Sequence, residues 1–424
     1  MNEPTLPDAL RYLIAARRAE TTGLEALAHV CTLVTQAGEL VHALQKERGY
    51  SNVYLAAEHA SARETLLAYA ADADVQARAL RQGLERLDPA AQATADKARL
   101  LTRVAYVLYR LDELPALRRR VLARDLDIET SLAHYTRLIN GLLGLVFDAA
   151  DTALDPEVTR ALVALFNLMQ GKELAGQERA CGVRGFAAGH FTAPQHAQLA
   201  QLIDGQDRCF EAFLAHAQPP QQAAWAALAA CEAELRQLRG MAARTSPDAR
   251  VDAALAQIWF DVQTARIDGM RAVEAELSAA LPALCQARIA RAHDDLDNHR
   301  RLARRLAEPA AASAVLFTVQ GNALDAGAPD LAGPMLSPQL SRSLLDLVQA
   351  QAQRLQALSD ALAGARSSLD ARKHIEQAKQ LLMAHHTLSE AAAHDKLRKA
   401  AMSRGLKLEE FARQVLAAGA GGQA

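Results

Sequence analysis

Leu44-Gln45-Lys46-Glu47-Arg48-Gly49-Tyr50-Ser51 places a guanidinium where a helix of this kind should carry an apolar side chain. Apolar or small residues recur at Leu33, Ala37, Leu40 and Leu44, then comes Arg48, then Ser51 and Leu55. Steps of three and four form one face of a single helix. Arg48 therefore points into whatever buries Leu44 and Leu55, and arginine cannot shed its charge. It requires an anion. One source is a protein carboxylate, Glu47 or an acid of a neighbouring helix, in a structural ion pair. The other is a small ligand anion held by buried arginines. Because an unpaired buried charge costs about 3–5 kcal/mol, filling a site of the second kind could drive a change of shape.

The chain around this stretch reads as helical throughout. Half of its 424 residues are hydrophobic and only 4% are aromatic, with no useful run of alternating strand pattern. That composition predicts an all-α protein of two or three compact units. The opening residues lack the basic and apolar segments of a secretory signal, and the most apolar window, Leu138 to Phe147, is about half a bilayer span. A cytoplasmic protein with no membrane segment is expected. Five dispersed cysteines (Cys31, Cys181, Cys209, Cys231, Cys285) without a Cys-x-x-Cys pair argue against a disulfide framework and against a metal site.

Charge is divided unevenly. From Arg366 onward ten Lys/Arg face six acids, a balance of +4, while the remainder has 37 basic and 43 acidic residues, or −6. A polyanion-binding tail on an acidic body fits this split.

Residues 1–150 suit an up-and-down bundle, with a turn at Asp88-Pro89 and a kink or break at Leu114-Pro115. Asp155-Pro156-Glu157 then supplies an N-cap, a first-turn proline and an acid, opening a second set of four helices over 155–308. Its punctuation falls at Pro194, Pro219-Pro220 and Pro247. In its last helix Leu255, Trp259, Val262, Arg266, Val273 and Leu277 share a face, so Arg266 is a second charge on an apolar stripe, either a salt-bridged or snorkelling residue or a ligand to an anion. Residues 309–338 have the Ala/Gly/Pro/Asp composition of a linker. Beyond it Leu344, Val348, Leu355, Leu358, Leu362 and Leu369, with Gln351, keep heptad spacing, which predicts a signalling helix over 339–370 that docks on the body or pairs with a second copy. Residues 371–418 form a basic three-helix unit.

The run R-K-x-I-E-Q-A-K-x-L-L-M at Arg372–Met383, then L-S-E at Leu388–Glu390 and L-R-K-A-A-M at Leu397–Met402, resembles the ANTAR domain, an RNA-binding module of bacterial antiterminators. L-Q-K-E-R-G-x-S at Leu44–Ser51, G-K-E-x-A-G-Q-E-R-A at Gly171–Ala180 and R-I-D at Arg266–Asp268 are similar to the NIT domain, a nitrate- and nitrite-sensing helical module. Together they resemble the nitrate-responsive antiterminator family. That resemblance implies a sensor of two four-helix bundles binding nitrate or nitrite through Arg48 and Arg266, with Arg179 a further candidate. It implies that the tail binds a paired-hairpin leader mRNA through Arg372, Gln377, Lys379 and Arg398, and so prevents transcription termination. It implies no cofactor. A homodimer, through the 339–370 helix or on RNA, is compatible with it. The sequence departs from the family at Gln380, where a glycine is usual, at His394, where an aromatic is common, and at Tyr50, larger than the expected aliphatic residue.

Two other readings remain. A helical sensor of another small anion could control a DNA-binding output, since a basic three-helix tail also suits a helix-turn-helix. An enzyme is disfavoured: His374, His385 and His386 lie near cations, and no phosphate loop, nucleophile elbow or metal spacing occurs.

Overall fold

The computed structural model describes residues 8–56, 60–87, 95–307, 338–386, 388 and 390–420, and among them every regular element is a helix. The Asp88-Pro89 turn, the linker and Ser389 lie outside these residues.

The first bundle comprises α1 (Asp8–Ala56), α2 (Ala60–Glu85), α3 (Ala95–Leu122) and α4 (Ile128–Thr152). Leu33, Ala37, Leu40 and Leu44 are buried on α1 as their spacing requires. Pro115 does not break α3. Its ring lies on the exposed face of the helix, away from the core, and the helix runs through it. A network around the buried Glu47 ties the four helices together. Arg118 of α3 donates to both Glu47 oxygens at 2.7 and 2.9 Å and to Asp74 of α2 at 2.6 Å, and the Tyr135 hydroxyl of α4 donates to Glu47 at 2.8 Å. Burial and the Glu47 charge push the Tyr135 phenol up, which keeps it a donor.

The second set is α5 (Pro156–Ala187), α6 (Ala193–His216), α7 (Pro219–Ala226), α8 (Ala229–Ala243) and α9 (Leu255–Ala307). Asp155 caps α5, accepting from the Glu157 and Val158 amides at 3.0 and 3.1 Å, and Thr192 caps α6 in a box with Gln195. Gly189, at φ +77°, makes the turn between them, a left-handed position that favours glycine. The third of the four expected segments is split: α7 ends at Ala227–Leu228, where no proline or glycine signals the break.

Helices α1, α5 and α9 meet at the junction of the two sets, and one large core runs through both. Trp259, Phe186 and Phe191 build a smaller core at the far end of the second set. There Gly182 of α5 allows the close approach of the Trp259 indole, to which an added Cβ would stand 2.1 Å away.

One continuous helix, α10 (Pro338–His386), runs along the body into the tail, where α11 (Glu390–Ser403) and α12 (Leu408–Ala420) close a small core of Ile375, Ala378, Leu397, Ala401 and Phe411. Gly405, at φ +62°, ends α11. The heptad face is only partly docked. Gln351 is buried and donates to Glu20 at 2.6 Å, and Leu369 joins the main core, but Val348 and Leu355 point outward.

Gly182→Ala should lower stability by about 1–3 kcal/mol through overpacking against Trp259, read as a lower denaturant midpoint with an unchanged slope.

Candidate functional site

Arg48 finds its anion in α5. Its guanidinium makes a two-pronged contact with Glu173, Nη1 to Oε1 at 2.5 Å and Nη2 to Oε2 at 2.9 Å, and Nη1 also donates to the Thr136 hydroxyl of α4 at 3.0 Å. Glu47, the other acid considered, is committed to Arg118. Glu173 is fully buried and accepts two further bonds, from Gln45 and Gln177, each at 2.8 Å. Burial raises its proton affinity, but Arg48 and these donors outweigh that and hold the carboxyl below its ordinary range.

Arg179 lies on the same helix, six residues further. It donates to the Thr264 hydroxyl of α9 at 2.8 Å and stacks 5.0 Å from the Phe260 ring. Among the described residues no carboxylate reaches salt-bridge distance of it. Burial, and then the charge of Arg48, lower its pKa. The structure thus sets Arg48 and Arg179 within each other's field, with Gly176 between them, where an added Cβ would lie 3.5 Å from Arg48 Nη2. Glu173 pairs with Arg48, whereas Arg179 has no ion pair among the described residues and, of the carboxylates, feels only the field of Asp268.

Arg266 is placed elsewhere. It is buried and donates to Glu232 at 2.5 Å and to Gln206 at 2.6 Å, with Glu178 4.0 Å away. Glu178 in turn takes a two-pronged contact from Arg239, at 2.7 and 2.8 Å. Thr264 and Arg266, two positions apart, point to nearly opposite sides of α9, so Arg266 does not share a cluster with Arg179. Tyr50 is not a wall of this site either, since it packs edge-on against Tyr69 of α2. A third buried pair, Lys172 with Glu274, joins α5 to α9 below the arginines. Burial and the Lys172 and Arg271 charges drive the nearby His42 down to about 3, keeping it neutral.

Two of the tail's four candidate RNA residues, Arg372 and Arg398, contact the body. Arg372 donates to the Cys209 sulfur at 3.8 Å and lies 5.0 Å over the Phe166 ring. Arg398 pairs with Asp204 of α6 at 3.3 Å and with Asp395 at 3.2 Å. Lys379 is buried and bonded to Glu376 at 2.8 Å, whereas Gln377 is exposed. Lys373 adds a bridge to Asp151 of α4 at 2.6 Å. His394, at the family's aromatic position, is buried in this contact and accepts from Arg208 at 3.1 Å. Burial, followed by the charges of Arg208 and Lys379, lowers it to about 4. The sequence did not single out the partners Glu173, Thr136, Thr264 and Asp204, although Glu173 stood inside a quoted motif.

Comparison with known proteins bears on the fold and the family. A family described as nitrate and nitrite sensing matches residues 39–281, and the ANTAR domain matches residues 363–416. The nitrate regulatory protein of Klebsiella oxytoca is 36% identical over 412 residues, covering 97% of this chain and 95% of that protein. A solved structure, that of the NasR transcription antiterminator, superposes with a TM-score of 0.59 at 35% identity over 98% of this chain and 100% of its own. No described helix is long and apolar enough to cross a membrane. The chain therefore belongs to the family of nitrate-responsive transcription antiterminators, in which an all-helical nitrate- and nitrite-sensing domain is joined to a C-terminal ANTAR domain.

Proposed function

We propose that nitrate-responsive antitermination by this protein begins at the α1–α5–α9 junction, where Arg48 and Arg179 hold nitrate or nitrite, and ends in release of the tail's RNA-binding face. The observation that carries the reading is Arg179, half-buried beside another arginine with only a hydroxyl and a ring for partners. Arg48, Arg179 and Glu173 sum to one positive charge, softened by the field of Asp268, which suits a monoanion better than a dianion. Nitrate is planar and weakly hydrated, and guanidinium forks offer it in-plane donors. Arg266, already met by Glu232 and Glu178, serves in this reading as a further anion contact only after its own pairs rearrange. In the resting form it holds α9 against α6 and α8.

At the other end, Arg372, Lys379 and Arg398 are the phosphate-contacting cations and Gln377 supplies hydrogen bonds to base edges of the leader hairpin. Arg372 and Arg398 are engaged with the body in the docked tail, so their use in RNA binding requires release. Acting on a nascent transcript places the protein in the cytoplasm. Pairing of two copies, through the outward Val348 and Leu355 or on RNA, belongs to the same reading.

Nitrate at about a hundred times its Kd should stabilise the wild type by about 2.7 kcal/mol, a rise of roughly 3–4 °C in Tm. Arg179→Gln, which breaks no ion pair, should fold normally and lose most of that rise. Arg48→Lys, which keeps a cation beside Glu173, should lose part of it. A full nitrate response in Arg179→Gln would overturn the placement.

The docked tail should also loosen in acid. His394 is held at about 4 in the docked tail, by burial and by Arg208 of the body together with the tail's own Lys379 and Arg398, so the released state, free of the body's share, binds more protons. Docking is then strongest above about pH 6.5 and weakens as the pH falls toward about 4. Energy transfer between dyes on tail and sensor should drop over that range, and His394→Phe should flatten the curve.

A further inference from the structure

α9 carries a residue that the ionic networks leave unexplained. Gln263 is fully buried, yet neither its Oε1 nor its Nε2 has a hydrogen-bond partner among the described residues. Native interiors seldom leave both ends of a buried amide unsatisfied, and such a group marks a place where something polar belongs.

Its position follows from the helix registers. On the α5 side, Trp259 lies against Gly182 and its indole nitrogen donates to the Arg179 carbonyl at 3.1 Å, while Glu274 pairs with Lys172. Gln263 is one turn from Trp259 on the same face, which brings it level with Glu178 and Arg179. On the α1 side, Gly38 stands opposite Glu274, and Glu39 accepts from Arg271 at 2.7 and 2.6 Å, so the two helices run antiparallel. The ten residues from Gly38 to Arg48 match the ten from Glu274 to Thr264, and Gln263 is next to Thr264. The orphan amide therefore stands at the level of Arg48, Gly176 and Arg179, on the face of α9 that lies between Thr264 and Arg266.

We infer that Gln263 is a specificity-determining residue of the anion site, whose Nε2 donates to the third oxygen of bound nitrate and thereby favours nitrate over nitrite. The inference rests on the anion site proposed above. Nitrate presents three equivalent oxygens in one plane, and the junction offers three donor groups: two guanidiniums and one amide. Nitrite has two oxygens and a nitrogen lone pair where the third would be. Two arginines satisfy it, and the Gln263 amide meets a weaker acceptor. The site built this way rejects the anion that leaves its buried donor poorly paired.

The test is titration of the full chain with sodium nitrate and sodium nitrite in chloride-free buffer, by calorimetry and thermal shift, for the wild type, Gln263→Leu and Gln263→Met. Both variants keep the side chain's size and remove the orphan amide, so their anion-free Tm should equal or exceed that of the wild type. Their nitrate affinity should fall roughly ten- to hundredfold, the loss of one hydrogen bond to a charged group. Their nitrite affinity should change by less than about threefold, on the same arithmetic for a poorly formed bond. Equal losses for the two anions, or none for either, would overturn the role of Gln263 while leaving the site intact. If the wild type responds to neither anion, the site itself is refuted and Gln263 with it.

Discussion

The fork between Arg48 and Glu173 is the constraint around which the sensor is built. Each partner comes from a different bundle, both are buried, and neither charge has another full counterion. Taken alone, a buried ion pair is weak evidence of stability, because desolvation offsets most of the attraction. Its force is conditional: once α1 and α5 are together, any motion that separates the fork leaves two buried charges unpaired. Helix α5 repeats this device along its length, with Lys172 held by Glu274 of α9, Glu173 by Arg48 of α1, and Glu178 by Arg239 of α8. Such a helix does not slide by small amounts. It moves between arrangements in which its charges are matched, as a two-state element must.

That same helix reaches the tail. Phe166 lies under Arg372 near the start of α5, 13 residues or about 20 Å from Arg179. Asp151 at the end of α4 bridges to Lys373, and Arg99 ties Asp151 to Asp148 across to α3. The tail is thus held in part by the helix that also carries Glu173 and Arg179. Coupling between two such sites is usually about 1–3 kcal/mol. The proposed release therefore works only if docking is itself marginal. The docked face suits that requirement, being made of half-exposed ion pairs, a cation over a ring and a neutral histidine, with few apolar contacts.

Much of this was legible from periodicity. The misplaced Arg48 and Arg266, the Asp155-Pro156 cap, the heptad face and the three-helix tail all follow from spacing that water-exclusion imposes on a helix. Partners were not legible, because periodicity reports which face is buried and is silent on what covers it. Glu173 therefore could not be told from any other acid. Gln263 was hidden for a related reason: a glutamine beside an apolar stripe looks like a surface residue until its neighbours prove to be buried on every side. Pro115 misled in the opposite direction. A proline signals a break, but it removes only one hydrogen bond of a long helix, and here its ring lies on the exposed face away from the core.

The two explanations first open for Arg48, a structural pair or a ligand site, turn out not to exclude each other. Glu173 answers the charge on Arg48, and Arg179 then supplies a charge that no ion pair answers among the described residues, Asp268 acting on it only through its field. This division has a mechanical consequence. Were Arg48 wholly unpaired in the resting state, the sensor would be destabilised by several kcal/mol and would bind any available anion. With Glu173 in place the penalty is small, and an anion gains only by sharing Arg48 with a carboxylate that repels it. In the proposed scheme that repulsion is what moves α5, because Glu173 can retreat from the anion only by carrying its helix along. A neutral residue at that position, such as glutamine, would bind nitrate without being pushed.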